Sequence, residues 1–180
     1  MKKSKLVLLI LSITYFILAI ISIINSESKL YNILLLIIIY VPYLLIIVFS
    51  DGYFGKVISI SFCIIEIITS VLSIIGLFNA LNKGSEFSVI DLLIRIEIMA
   101  YNALAIVCFV RLMKEKDISI IKYIALGLLV IVIGYLGVSF FQTPSIPLIK
   151  ITIFKNAVFY IILYSYLFFE SVRSKEIKSW

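Results

Sequence analysis

Histidine is absent from this 180-residue chain, which holds only two cysteines, three prolines and seven glycines. Without histidine the commonest general base, the commonest metal ligand and the usual near-neutral titrating group are missing. Metalloproteases with His ligands, His-dependent phosphatases and Cys-His peptidases are thereby excluded. Cys63 and Cys108 each lie inside a long apolar run. Cysteine there behaves as a small hydrophobe, and the spacing suggests neither a disulfide framework nor a metal cage. Charge is scarce as well: 14% of the residues are charged and 63% are hydrophobic, with a mean hydropathy of +1.22. A soluble domain carries about a quarter charged residues, so a water-soluble fold, a disordered chain and a nucleic-acid-binding surface are all excluded.

What stands in excess is isoleucine, with 39 residues against seven alanines and seven glycines. Crossing a hydrocarbon core takes about 20 apolar residues. Six stretches reach that length, at about 6–25, 30–50, 57–78, 89–113, 118–141 and 149–169. Lipid obliges each backbone polar group to find its partner within its own helix. The chain is therefore predicted to be an all-α, polytopic membrane helix bundle of six transmembrane helices, a single integral domain over residues 1–180. Lys2, Lys3 and Lys5 imitate the start of a signal peptide, but the apolar run after them is too long and no small-residue cleavage pattern follows, so a retained helix is expected. Pro42 is expected to kink the second helix. A five-span count, with 89–97 lying in the interface, leaves 98–113 too short to cross alone.

Orientation follows from the basic residues beside the spans. With the N-terminus inside, the inner segments hold eleven Lys and Arg residues and the outer segments three, Lys29, Lys83 and Lys150. The positive-inside rule then places both termini in the cytoplasm and the chain in the cell (plasma or inner) membrane. The net charge of +6 is explained by orientation and by the anionic inner leaflet, without nucleic acid as a partner. The Ile- and Lys-rich usage points to an AT-rich bacterial genome.

Five ionisable residues fall within the spans: Glu66, Asp91, Arg95, Glu97 and Lys155. Each costs roughly 2.5–3.5 kcal/mol at the bilayer centre and less toward its edges. Arg95 and Lys155 have stems long enough to snorkel, and Asp91 is near enough to the end of its helix to reach the interface. Glu66 and Glu97 are deep and short, so these two are the costly ones. Asp91 and Arg95 are spaced for an ion pair, and Asn102 continues their face, whereas Glu97 lies about 200° round from Arg95 in line with Tyr101 and Cys108. A helix with charge on both faces, and with Ala100, Ala103 and Ala105 for close approach, is expected in the middle of the bundle. The third helix carries a polar stripe of Ser59, Cys63, Glu66, Ser70 and Ser73. The sixth brings in Lys155 and Asn156, with Tyr160 and Tyr164 on the asparagine's face. On the fifth, Gly127, Gly134 and Gly137 are expected to form a close-packing seam.

Two readings follow. In the first, Glu66, Ser70, Asp91, Arg95, Glu97, Asn102, Lys155 and Asn156 build an outward-facing site between helices three, four and six for a small solute or cation. The five charges sum to −1, so one carboxylate, Glu66 foremost, carries a proton or is matched by a bound cation. That makes the chain a solute-binding or transport subunit. In the second, Asp91 with Arg95, and Lys155 with Glu66 or Glu97, are structural pairs in an interaction, immunity or assembly protein that docks other membrane subunits. Neither reading is an enzyme or asks for a cofactor or metal, because nucleophile, base and ligands at recognisable spacing are missing. In size alone the chain resembles the substrate-binding subunits of energy-coupling-factor importers. The small-residue docking stripe which that resemblance implies on the first helix is replaced by Ala19 among bulky Ile, Leu, Phe and Tyr.

Overall fold

The computed structural model describes residues 3–26, 28–49, 52–82, 89–116, 118–142 and 147–178, and no strand occurs among them. Six helices follow one another: α1 (Lys3–Ile24), α2 (29–49), α3 (Tyr53–Asn82), α4 (Val89–Met113), α5 (Ile118–Gln142) and α6 (Pro147–Lys178). Each contains a segment long and apolar enough to cross a membrane. Helix outruns apolarity at several ends. α3 starts at Tyr53, so Gly55 and Lys56 lie inside its first turn, and α6 continues past the apolar run to Lys178. Pro147 opens α6, where its missing N–H would have had no helical partner.

The disturbance expected at Pro42 appears just before it. Leu36–Tyr40 form a π-helical turn, closed by the Val41 N–H donating to the Leu36 carbonyl. Proline removes one donor and crowds the carbonyl a turn earlier, and a wider turn absorbs that mismatch without breaking the helix. α4 ends in a Schellman motif with Glu115 at φ 53° where glycine is usual: the Lys116 N–H donates to Arg111 O at 2.9 Å and the Glu115 N–H to Leu112 O at 3.2 Å.

Every helix is apolar on both faces, so polarity contrast does not orient it; small and hydroxyl-bearing residues do. On α1 the inward stripe is Leu8, Ser12, Tyr15 and Ala19, and the stripe facing away from the bundle is Ile10, Ile13, Ile17 and Ile20. Buried serines are satisfied at once by their own helix, Ser12 donating to Leu8 O and Ser59 to Gly55 O, each at 2.8 Å. The isoleucine excess thus covers the bundle's exterior.

The hub of the bundle is α6, not α4 as the charge pattern suggests. Half of the apolar segment of α6 is buried, against 22% for that of α4. α6 packs on α1, α4 and α5, and Phe159 reaches α2 and α3 through Tyr43 at 5.5 Å and Phe62 at 4.4 Å between ring centroids. Ala100 and Ala103 are exposed and only Ala105 is buried. The charges of α4 are accommodated by facing a cavity rather than by central packing. The glycine seam on α5 is likewise overturned, since a Cβ at Gly127, Gly134 or Gly137 would meet nothing within 4 Å. α5 packs instead through Ile118, Ile121, Ala125, Leu128 and Val132, whose bulk fills the groove against its neighbours.

At the lysine-rich end, Glu170 ties α6 to α3. Its carboxylate lies 3.4 Å from Lys56 Nζ and 3.8 Å from an Arg173 guanidinium nitrogen. Tyr166 Oη donates to Gly52 O beside them at 3.4 Å.

Phe159 carries the centre of the packing, with the rings of Tyr15, Tyr40, Tyr43 and Phe62 between 4.4 and 5.6 Å away. In lipid the transfer part of a large-to-small penalty largely falls away and the cavity part remains. Phe159→Ala should therefore cost about 2 kcal/mol, from roughly 100 Å³ of lost volume at about 24 cal/mol per Å³. Phe154→Ala, at a ring 37% exposed, should cost less than about 0.5 kcal/mol. Reversible unfolding in mixed micelles reads both, and equal losses would contradict the central position of Phe159.

Candidate functional site

A cavity of about 380 Å³ opens inside the bundle, and all six helices contribute to its wall. Its charged and amide groups are Glu66 from α3, Arg95 and Glu97 from α4, and Asn156 from α6. Six tyrosines complete the polar lining: Tyr15, Tyr40, Tyr101, Tyr135, Tyr160 and Tyr164. Apolar wall between them comes from residues such as Ile98, Val132 and Ala157.

Each helix delivers its group by simple periodicity. On α3 the polar stripe turns inward as a unit, with Ser59, Cys63 and Ser70 buried and Glu66 half-buried between them. On α6, Asn156, Tyr160 and Tyr164 recur every fourth residue and share one face. On α4 the 200° from Arg95 to Glu97 leaves about 160° measured the other way round, at about 100° per residue. Ile94, Ile98 and Tyr101 lie in that shorter arc, and the whole arc faces the cavity. The two charges therefore frame one opening rather than marking opposite sides, and both are exposed at it.

The carboxylates have different company. Glu97 accepts from Tyr101 Oη at 2.6 Å, one turn along its own helix, a short hydrogen bond of the charge-assisted kind. Glu66 accepts across helices from Tyr160 Oη at 3.4 Å, and Tyr160 Oη accepts in turn from Asn102 Nδ2 at 3.5 Å. The chain Asn102–Tyr160–Glu66 thus joins α4, α6 and α3. Asn102 is fully buried and also donates to Ile98 O at 2.9 Å. Its Oδ1 is buried and meets no hydrogen-bond partner among the described residues. A flipped amide would turn that oxygen on the Ile98 carbonyl, so the orientation is fixed.

Of the expected site residues, Glu66, Arg95, Glu97 and Asn156 line the cavity, and Asn102 stands behind Tyr160. Ser70 is buried but does not reach the lining. Lys155 is half-buried on a neighbouring face of α6 and is likewise not on the wall, so it is not brought to Glu66 or Glu97. The side chain of Asp91, and with it the expected pair to Arg95, lies outside the described residues. Sequence reasoning missed Tyr15, Tyr40, Tyr135 and Phe159. Tyr15 did carry a signal, standing in the Ser12–Tyr15–Ala19 stripe of small and polar residues on α1. Tyr40 and Tyr135 carried none.

The cavity has a closed aromatic floor. Phe159, Tyr15 and Tyr40 line it, and Tyr43 and Phe62 pack directly behind them, 2% and 3% exposed. The Tyr40 and Tyr160 rings each stand nearly perpendicular to Phe159, at 84° and 81°. Among the described residues no group of three or more acidic, cysteine or histidine side chains is placed to hold a metal ion. Chemically the arrangement offers two acceptor carboxylates, one guanidinium, one amide and a concave wall of aromatic faces. Comparisons with protein-family models, curated proteins and solved structures find no match.

Proposed function

We propose that this protein is a small multi-pass solute-binding or transport subunit whose cavity between α3, α4 and α6 receives a small solute. The observation that carries the reading is the cavity itself: about 380 Å³, placed among apolar helices yet lined by Glu66, Arg95, Glu97 and six tyrosines. Intramembrane charge is expensive and tends to mark a solute or ion pathway. The size matches that of small-molecule pockets, which run from about 300 Å³ upward. A purely structural role is less economical, since Arg95 and Glu97 are exposed to the cavity rather than folded into a closed pair.

The basic residues support an orientation with both termini in the cytoplasm of a cell whose plasma or inner membrane holds the chain. The connection between α3 and α4 then lies outside, on the side where Arg95 and Glu97 stand. The aromatic floor, backed by the Lys56–Glu170 pair, closes the inner side. Such a subunit performs no covalent chemistry of its own.

Purified protein heated with a panel of amino acids, vitamins and ions should show at least one ligand raising its apparent stability by roughly 2–4 kcal/mol at saturation. Glu66→Gln should remove that shift. If the panel is silent and Glu66→Gln lowers stability, the carboxylate is structural and the interaction reading replaces this one. Orientation is tested in intact cells: Ser85→Cys should react with a membrane-impermeant maleimide and Glu115→Cys should not, and the opposite pattern would invert the topology.

A further inference from the structure

The chemistry of the wall narrows the ligand. We infer that the cavity binds a monovalent organic ammonium, its cationic head against Glu66 and within the aromatic floor of Tyr15, Tyr40, Phe159 and Tyr160; this rests on the solute-binding reading above.

Charge comes first. The described lining holds two carboxylates, Glu66 and Glu97, and one guanidinium, Arg95, a balance of −1. In a low-dielectric surround that balance favours a single positive charge on whatever enters. The carboxylates are not equivalent, however. Glu97 already has the 2.6 Å hydrogen bond from Tyr101 at the rim, whereas Glu66 is half-buried with one long contact, 3.4 Å, from Tyr160. Glu66 is the group with acceptor capacity left for a ligand.

Ring geometry comes second. Tyr40 and Tyr160 meet Phe159 at 84° and 81° with centroids 5.4 and 6.0 Å apart, and all three line the cavity beside Tyr15. Tyr40 and Tyr160 are part-exposed at the wall, with Phe159 and Tyr15 buried behind them at 4% and 2%, so the ring surface a ligand meets is mainly that of these two tyrosines. An alkylammonium is held by such faces because each ring carries negative charge density above its plane. A solute recognised by apolar bulk alone would be served as well by the Ile and Leu that dominate this chain, yet six tyrosines stand at the wall.

Size comes third. A bare inorganic cation needs several oxygens converging on it, at about 2.3–2.6 Å for calcium. Glu66 and Glu97 belong to different helices, and no cluster of three acidic side chains occurs among the described residues. A space of about 380 Å³ instead fits a small organic molecule. Arg95 and Glu97 at the opening remain for whatever polar tail the molecule carries.

The test compares choline with its neutral carbon isostere, in which a tert-butyl group replaces trimethylammonium, using isothermal calorimetry on the full chain in micelles. The expected result is binding of choline roughly tenfold or more tighter than of the isostere, from the cation–π and charge terms together. Glu66→Gln should abolish that preference, and Tyr160→Leu, a second variant that leaves the carboxylate in place, should reduce it. Equal affinity for choline and isostere overturns the ammonium assignment but leaves a solute site standing. Sodium chloride displacing choline at equal concentration, against a potassium-free and sodium-free reference, also overturns it in favour of an inorganic cation. If neither probe binds and the wider solute panel is silent too, both the assignment and the solute-binding reading fall.

Discussion

A carboxylate within the hydrocarbon layer cannot turn to lipid for hydrogen bonds, so the protein must offer it polar partners from helices that sequence distance keeps apart. Glu66 imposes that requirement near the middle of α3. Tyr160 answers it from α6 at 3.4 Å, and Asn102 on α4 steadies Tyr160 from behind. Three helices are thereby joined by one polar chain. The position of α6 follows from it, since a helix that must reach Glu66 on one face and meet α1 and α5 on others belongs at the centre.

Above and below that chain the bundle is layered. Arg95 and Glu97 stand at the opening, the tyrosine-lined cavity lies beneath, and the cluster around Phe159 closes it. Beyond the cluster, Glu170 gathers Lys56 and Arg173. A mouth of mixed charge, a tyrosine-lined pocket and an aromatic seal in sequence are the features on which the proposed solute-binding role rests. The π-helical turn at Leu36–Tyr40 contributes to the same place, because Tyr40 at its end lines both cavity and seal. Such turns recur at functional positions in helices generally.

Much of this was legible in the residues, and the limits have a physical source. The six spans were readable because hydrocarbon thickness sets a length that apolar runs either meet or miss. The inward stripe of α3 and the shared face of Asn156 and Tyr160 were readable because side-chain direction repeats with helical period. Neighbour relations were not. In lipid both faces of a helix are apolar, so nothing in α4 announced that α6, and not α4, would be central. Gly127, Gly134 and Gly137 invited a packing seam that bulky Leu128 and Val132 provide instead. Lys56 and Glu170 are far apart along the chain, as are Tyr166 and Gly52 beside them at a separation of 114 residues, and no local pattern links them. Tyr15 and Tyr40 enter the site from helices whose apolar spans held no charge to draw attention.

The polar chain through Glu66 is tested most directly by a double-mutant cycle on the folded protein in micelles, with Glu66→Met, which removes the acceptor, Tyr160→Phe, which removes the donor, and the pair. Interhelical hydrogen bonds in membranes are worth about 0.6 kcal/mol on average and reach about 1.7. A coupling free energy in that range between the two positions is the expected result. Strict additivity, within about 0.3 kcal/mol, would show that Tyr160 does not hold the Glu66 carboxylate and that something else stabilises it at that depth.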